Sequence, residues 1–273
     1  MKIGCVVDLR PEIEKSFEEA LSLGIHRGQL VVWDMSLYTE ENAERILKFC
    51  REEDFHISAL WAGWSGPVVW KYPEMYTTLG LVPDYMRWQR TQDLLRGAEF
   101  AARLNVRDVV SHIGYFPDNP FDRTHIEIVH CMRIVGRKLQ ERGQRFLFET
   151  GEELPVTLLL LMNEIGTGNL GVNFDPANLT MSGRANALDA LRMFKDCIYG
   201  VHGKDATWPV PGQPKGKEQP MGEGETHFAE IVRMLKEYGY NGDITIEREI
   251  SDPEQRKTDI RRACRLIEDW MKE

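Results

Sequence analysis

The sequence predicts an eight-stranded α/β barrel in one domain, and three observations carry that expectation. Short β-branched runs alternate with longer amphipathic segments along all 273 residues; the alternation completes eight cycles; and no stretch rich in Gly, Ser or Pro divides the chain into halves. Strands alternating with helices imply a parallel sheet with right-handed crossovers, and eight such units permit closure into a barrel of about 250 residues. Residues 1–273 are therefore expected to form a single (β/α)8 TIM-barrel domain.

Strands are expected at Lys2 to Val7, Leu30 to Trp33, His56 to Trp61, Arg107 to His112, Arg145 to Glu149, Leu170 to Asp175, Ile198 to His202 and Asp243 to Glu247. Each is short and apolar, as suits a parallel strand buried on both faces. Between them the spacing is helical: Phe228, Ile231, Val232 and Leu235 fall at i, i+3, i+4 and i+7, and Ile260, Ala263, Cys264 and Ile267 repeat it. Asp252-Pro253-Glu254-Gln255 supplies an N-cap, a first-turn proline and a Gln at the capping-box position, while Gly24, Gly143 and Gly239 stand where helices should stop. Two connections are too long to be simple turns. Residues 62–83 carry Trp64, Trp70, Tyr72 and Tyr76, and residues 203–224 carry Pro209, Pro211, Pro214 and Pro220. Long irregular loops in a compact domain usually serve as lids or binding loops, and both follow strands, on the face where barrel enzymes work.

Composition narrows the partners. Against 34 Lys+Arg stand 43 Asp+Glu, a formal net charge of −9, which argues against nucleic acid and anionic membranes, since both select basic faces. Hydrophobic residues at 42% and charged residues at 28% are values of a globular protein able to bury a large core. Five scattered cysteines with no Cys-x-x-Cys pair read as free thiols. The N-terminus meets Asp8 too early for a signal peptide, and no apolar run approaches a membrane span, so a cytoplasmic location is expected.

Four of the last strands end in a residue type that binds metals: Phe146-Leu147-Phe148-Glu149, Val172-Asn173-Phe174-Asp175, Tyr199-Gly200-Val201-His202 and Ile244-Thr245-Ile246-Glu247. In a barrel the C-terminal strand ends converge on one mouth, so Glu149, Asp175, His202 and Glu247 should meet there. Three carboxylates without a counter-ion would repel, and a divalent cation resolves that. Oxygen-rich ligation with one nitrogen suits Mn²⁺, Mg²⁺ or Co²⁺ better than a structural zinc site built on cysteines. Singly, an acidic residue at a strand end is more often a helix N-cap or a solvated charge. Four in consecutive strands reverse that preference.

Phe148-Glu149-Thr150-Gly151, Asn173-Phe174-Asp175-Pro176-Ala177-Asn178, Val201-His202-Gly203-Lys204-Asp205, Gly222-Glu223-Gly224, Gly239-Tyr240-Asn241-Gly242 and Ile246-Glu247-Arg248 together resemble the xylose isomerase-like superfamily of sugar isomerases and epimerases. The resemblance runs in register over the C-terminal half. It implies a barrel holding one divalent metal, Mn²⁺ first with Mg²⁺, Co²⁺ or Zn²⁺ as alternatives, through Glu149, Asp175, His202 and Glu247. Ketose 3-epimerases of that superfamily use the first and last Glu as an acid/base pair, which would make Glu149 and Glu247 the catalytic groups here. The expected function is a carbohydrate isomerase or epimerase that abstracts a proton next to a carbonyl through a metal-stabilised enediolate.

The pattern departs from the ketose epimerases at Asn178, where those enzymes carry a His; Asn binds a sugar oxygen or shapes a turn but does not titrate near pH 7. The alternative is a metal-dependent lyase or dehydratase acting on a keto-sugar or 3-keto-glycoside, with a non-catalytic sugar-binding barrel behind it. An apurinic-site endonuclease, also in the superfamily, would need further histidines that are absent. His112, Asn178, Lys204 and Trp61 are the expected substrate-binding residues, with Lys204 able instead to pair with Asp205. Arg248 should point away from the mouth into a structural ion pair. His26, His56, His125, His130 and His227 read as packing or surface residues. The aromatic groups Trp61, Trp64, Trp70, Tyr115, Phe116 and Trp208 at strand ends suit either the C–H faces of a neutral sugar or the interface of a homo-oligomer.

Overall fold

A computed structural model describes all residues, 1–273. Its strands are β1 (Lys2–Asp8), β2 (Arg27–Val32), β3 (His56–Ala62), β4 (Asp108–Ser111), β5 (Arg145–Glu149), β6 (Leu170–Phe174), β7 (Ile198–Gly203), β8 (Asp205–Ala206), β9 (Glu218–Gln219) and β10 (Asp243–Ile246). Eight of them close into a barrel in the order β1-β10-β7-β6-β5-β4-β3-β2, every pairing parallel, so the chain is a (β/α)8 TIM barrel. The helices are α1 (Ile13–Ser22), α2 (Glu40–Glu52), α3 (Met75–Thr78), α4 (Asp84–Arg103), α5 (Arg123–Glu141), α6 (Pro155–Ile165), α7 (Pro176–Met181), α8 (Ala187–Phe194), α9 (Phe228–Glu237) and α10 (Pro253–Lys272). No helix is long and apolar enough to cross a membrane, and the five cysteines are unpaired.

The helices bury the faces their spacing predicts. Phe228, Ile231, Val232 and Leu235 of α9 are buried, as are Ile260, Ala263 and Ile267 of α10, while Cys264 is half-buried. Each buried large apolar side chain contributes about 1.5–3 kcal/mol, and the core they join fills the layer between barrel and helices. Gly24, Gly143 and Gly239 all take positive φ at helix ends. Asp252 caps α10 by accepting from the Glu254 and Gln255 amides at 3.0 and 3.1 Å. The capping box is not closed, because the Gln255 amide reaches forward to Asp259, a buried carboxylate that needs donors. Arg248 supplies the other donor to Asp259 and also pairs with Glu218, the structural ion pair its position predicts.

Strand limits differ most at β2, which starts at Arg27 rather than Leu30 and stops at Val32 rather than Trp33. The polar start Arg27-Gly28-Gln29 hides it. Gly28 pairs with Cys5, where a Cβ would come within 2.5 Å of the Cys5 carbonyl oxygen, so only glycine fits; Gln29 is 2% exposed and points into the barrel. Asp175, His112 and Glu247 sit one residue beyond their strands rather than inside them.

Neither long connection is open coil. The first contains α3 and is gripped by Arg90, fully buried, whose guanidinium donates to the carbonyls of Ser65, Pro67, Thr78 and Gly80. The second folds back as the antiparallel pair β8–β9. Its organiser is Asp205, which accepts from the amides of Gly222 and Gly224 at 2.9 and 3.0 Å and from the Thr226 hydroxyl at 2.7 Å. Lys204 therefore finds its partners elsewhere.

Candidate metal centre and active site

Glu149 ends β5, Asp175 and Glu247 follow β6 and β10, and His202 lies within β7; one ligand atom from each falls within 4.8 Å of the others. Ligands on opposite sides of an ion at about 2.1 Å stand about 4.2 Å apart, so the cluster has the size of a single-ion site. The donor set, three carboxylates and one imidazole, is that of a hard or borderline divalent cation. The quartet fits the metal that the sequence implies.

His202 is the hub. Its Nδ1 lies 3.2 Å from Glu149 Oε1, 3.3 Å from Asp175 Oδ2 and 3.4 Å from Glu247 Oε2. Burial disfavours a charged ring, but the carboxylates of Glu149 and Glu247 outweigh it and hold the imidazole pKa well above its ordinary value. Asp175 divides its labour. One oxygen caps α7 by accepting the Asn178 amide at 2.7 Å, the other faces His202, so the N-cap role leaves one oxygen turned to the cluster. Burial raises its pKa, with the Lys204 ammonium opposing.

Both oxygens of Glu149 are spoken for. The Trp61 indole N–H donates to Oε2, while Oε1 faces Asn178 Nδ2 at 3.2 Å and His112 Nε2 at 3.3 Å. Burial alone would raise this carboxyl; the imidazoles of His112 and His202 reverse that and hold it well below the usual range. Burial also acts on Glu247, but Lys204 at 2.7 Å and then His202 bring it down to about 2. Glu149 and Glu247 thus reach the centre from strands separated by β6 and β7, with carboxylate character favoured at both.

The sequence-predicted substrate residues come to the same cleft, and each also has a partner in the protein. Lys204, 2% exposed, spans Glu247 and Glu249 at 2.7 and 2.5 Å instead of pairing with Asp205. Asn178 lies within α7 rather than in a turn; its Oδ1 stands 3.4 Å from Lys204 Nζ. His112 lies between Glu149 and Glu152, with Glu152 Oε2 at 2.7 Å from Nδ1; burial opposes its protonation, yet those carboxylates raise its pKa. Trp61 is buried with its ring against Trp33 and Trp64, and it orients Glu149 besides facing the cleft. Trp70 packs edge-on against His112, and Tyr115 lines the same wall. Phe116 turns away, into the core beside His125, and His125 itself bonds Pro117 and Glu164 as a packing residue.

Three residues that sequence reasoning passed over complete the site. Glu152 lines the cleft beside His112. Glu249 caps the Lys204 ammonium from the loop after β10. Gln29 accepts at 2.8 Å from His202 Nε2. The first two carried a signal, acidic residues just beyond strand ends; Gln29, near the start of a strand, carried none. The cleft encloses about 1090 Å³, well beyond the volume needed for water and within reach of a drug-sized or larger ligand.

Comparisons place this architecture among known proteins. A family model described as xylose isomerase-like TIM barrel matches residues 17–272. An uncharacterized protein of Methanocaldococcus jannaschii is 30% identical over 198 residues, 67% of this chain and 65% of that protein, so the match spans just under two thirds of the relative. A xylose isomerase domain protein from Planctomyces limnophilus superposes with a TM-score of 0.93 at 29% identity, covering 99% of this chain and 97% of that one. A D-psicose 3-epimerase crystallised with D-fructose gives 0.73 at 13% identity, covering 99% of both chains. The probable 3-DHS dehydratase AsbF of Bacillus anthracis gives 0.68 at 16%, covering 94% of this chain and 97% of that one. These last two likenesses are of fold.

Proposed function

Because this chain belongs to the xylose isomerase-like TIM barrel family, we propose that it is a divalent-metal-dependent isomerase or epimerase of a carbohydrate bearing a carbonyl. The observation that carries the reading is the convergence of Glu149, Asp175, His202 and Glu247 within 4.8 Å, with Glu149 and Glu247 lining a large cleft. When bound, the ion supplies Lewis-acid polarisation of a substrate carbonyl and offsets the charge left by loss of the neighbouring proton. The side chains supply the rest. Glu149 and Glu247, both biased toward the carboxylate, are placed to take a proton from carbon and return one. Asn178 and Lys204 offer an amide and an ammonium to sugar hydroxyls, with Glu249 as the partner that a substrate would displace from Lys204. His112 serves beside Glu149 as a hydroxyl ligand or proton carrier, and Trp61 and Trp70 form an apolar wall suited to the C–H face of a sugar.

A second reading uses the same groups. Proton loss next to a carbonyl can be followed by expulsion of a β-substituent, giving a lyase or dehydratase; the absence of a His at Asn178 and a cleft roomy enough for a glycoside favour it. One experiment separates the two. NMR in D₂O with Mn²⁺- or Mg²⁺-loaded enzyme is run on free ketoses, ketose phosphates and 3-keto-glucosides. Deuterium at the carbon next to the carbonyl with mass otherwise conserved supports the isomerase; exchange with release of an aglycone or water assigns a lyase; no exchange across the panel by metal-loaded protein contradicts both.

A further inference from the structure

We infer that Gln29 is a positioning residue that fixes which nitrogen of His202 faces the metal centre. An imidazole can present either nitrogen, and the one that meets a cation must be free of its proton. The nitrogen among the carboxylates is Nδ1. The other, Nε2, points across the barrel to Gln29 Oε1 at 2.8 Å, in a site where both side chains are almost fully buried. A carbonyl oxygen only accepts, so Nε2 keeps its proton and Nδ1 is left as the donor to a cation.

The amide would lose this effect if it turned over, since its NH₂ would then face Nε2 and drive the proton to Nδ1. A second contact resists that. Gln29 Nε2 donates to Asn173 Oδ1 at 3.3 Å, giving a chain His202 to Gln29 to Asn173 that runs in one direction across the barrel interior from β7 to β2 to β6. Asn173 Nδ2 has no partner. A buried donor left without a partner is costly, and that cost falls on Asn173, at the end of the chain away from His202. A barrel interior filled by apolar layers needs no such chain.

This inference rests on the metal reading of the site, and its test keeps the two apart. Gln29→Leu removes the acceptor at similar volume; Gln29→Glu keeps an acceptor. Titration calorimetry with Mn²⁺ should show affinity reduced about 10–100-fold in Gln29→Leu, the usual cost of losing a metal ligand's outer partner, and largely restored in Gln29→Glu. In ¹⁵N-histidine NMR, recorded without metal and with Mg²⁺ or Zn²⁺, the His202 Nε2–H resonance should persist in wild type and exchange rapidly in Gln29→Leu. Thermal unfolding checks that both variants fold. Equal Mn²⁺ affinity in all three proteins, or an Nε2–H signal indifferent to Gln29→Leu, would overturn the inference. Wild-type protein that binds no divalent ion would sink the functional reading instead; the metal-free spectra would still decide the hydrogen bond.

Discussion

The two sides of the barrel mouth are built from opposite chemistry. β5, β6 and β10 deliver Glu149, Asp175 and Glu247, and β7 adds His202; β2, β3 and β4 deliver Gln29, Trp61 and His112, with no carboxylate among them. On the proposed metal reading, the acidic side presents oxygens to a cation. The other side touches the same groups from behind: Trp61 and His112 hold Glu149, and Gln29 holds His202. A ligand set gains its geometry from such partners, because each carboxylate or imidazole has rotamers that would otherwise be free. The difference teaches that this site divides between the groups proposed to meet the ion and the groups that aim them.

That division predicts graded effects. The largest belong to the acidic side: Glu149→Gln and Glu247→Gln should each lower turnover at least about 10²–10⁴-fold while circular dichroism and unfolding stay near wild type. Near-wild-type rates in either would sink the acid/base assignment. Arg90→Met, on the opposite side, should leave chemistry in place but cost about 2–4 kcal/mol, since four carbonyls lose their donor. Urea unfolding and limited proteolysis within residues 65–80 report it; an unchanged midpoint would mean that water replaces the guanidinium.

Trp61→Phe keeps an aromatic ring but removes the donor to Glu149 along with part of the buried indole, so Mn²⁺ affinity should fall about tenfold, with a stability loss of about 1–2 kcal/mol from the lost packing. Equal affinity would reduce Trp61 to a wall.

The last effect is one of pH. Burial, then the neighbouring Glu152, pushes the Glu153 carboxyl up to about 8. The folded protein therefore holds this proton more tightly than the unfolded chain, so its contribution favours folding below the ordinary carboxyl pKa and is lost as pH rises toward 8, by at most about 1.4 kcal/mol per pH unit. Glu153→Gln removes the dependence: its melting temperature relative to wild type should rise between pH 5 and pH 8. A constant difference would show Glu153 ionised in the fold.

Legibility followed the same division. The barrel was readable because eight apolar runs alternate with amphipathic helices, and the acidic quartet because carboxylates and histidine interrupt such runs at their ends. Gln29 was hidden. Its run opens Arg27-Gly28-Gln29, which looks like a turn, and only the barrel's closure brings β2 across from β7. Trp61 was seen as an aromatic surface because a sequence does not show where an indole N–H points. Lys204 next to Asp205 suggested a local pair, but the aspartate is consumed by the amides of its own loop, leaving the lysine to Glu247 and Glu249. In each case the missing information was a contact between segments distant in the sequence.

The most direct test of the metal centre is its stoichiometry, measured by calorimetric titration of Mn²⁺ into chelator-treated protein and into Asp175→Asn. One ion per chain for wild type, with binding weakened at least about tenfold in the variant, is the predicted result. Wild type that takes up no ion, or a variant that binds as tightly as wild type, would contradict the assignment of Glu149, Asp175, His202 and Glu247 as its ligands.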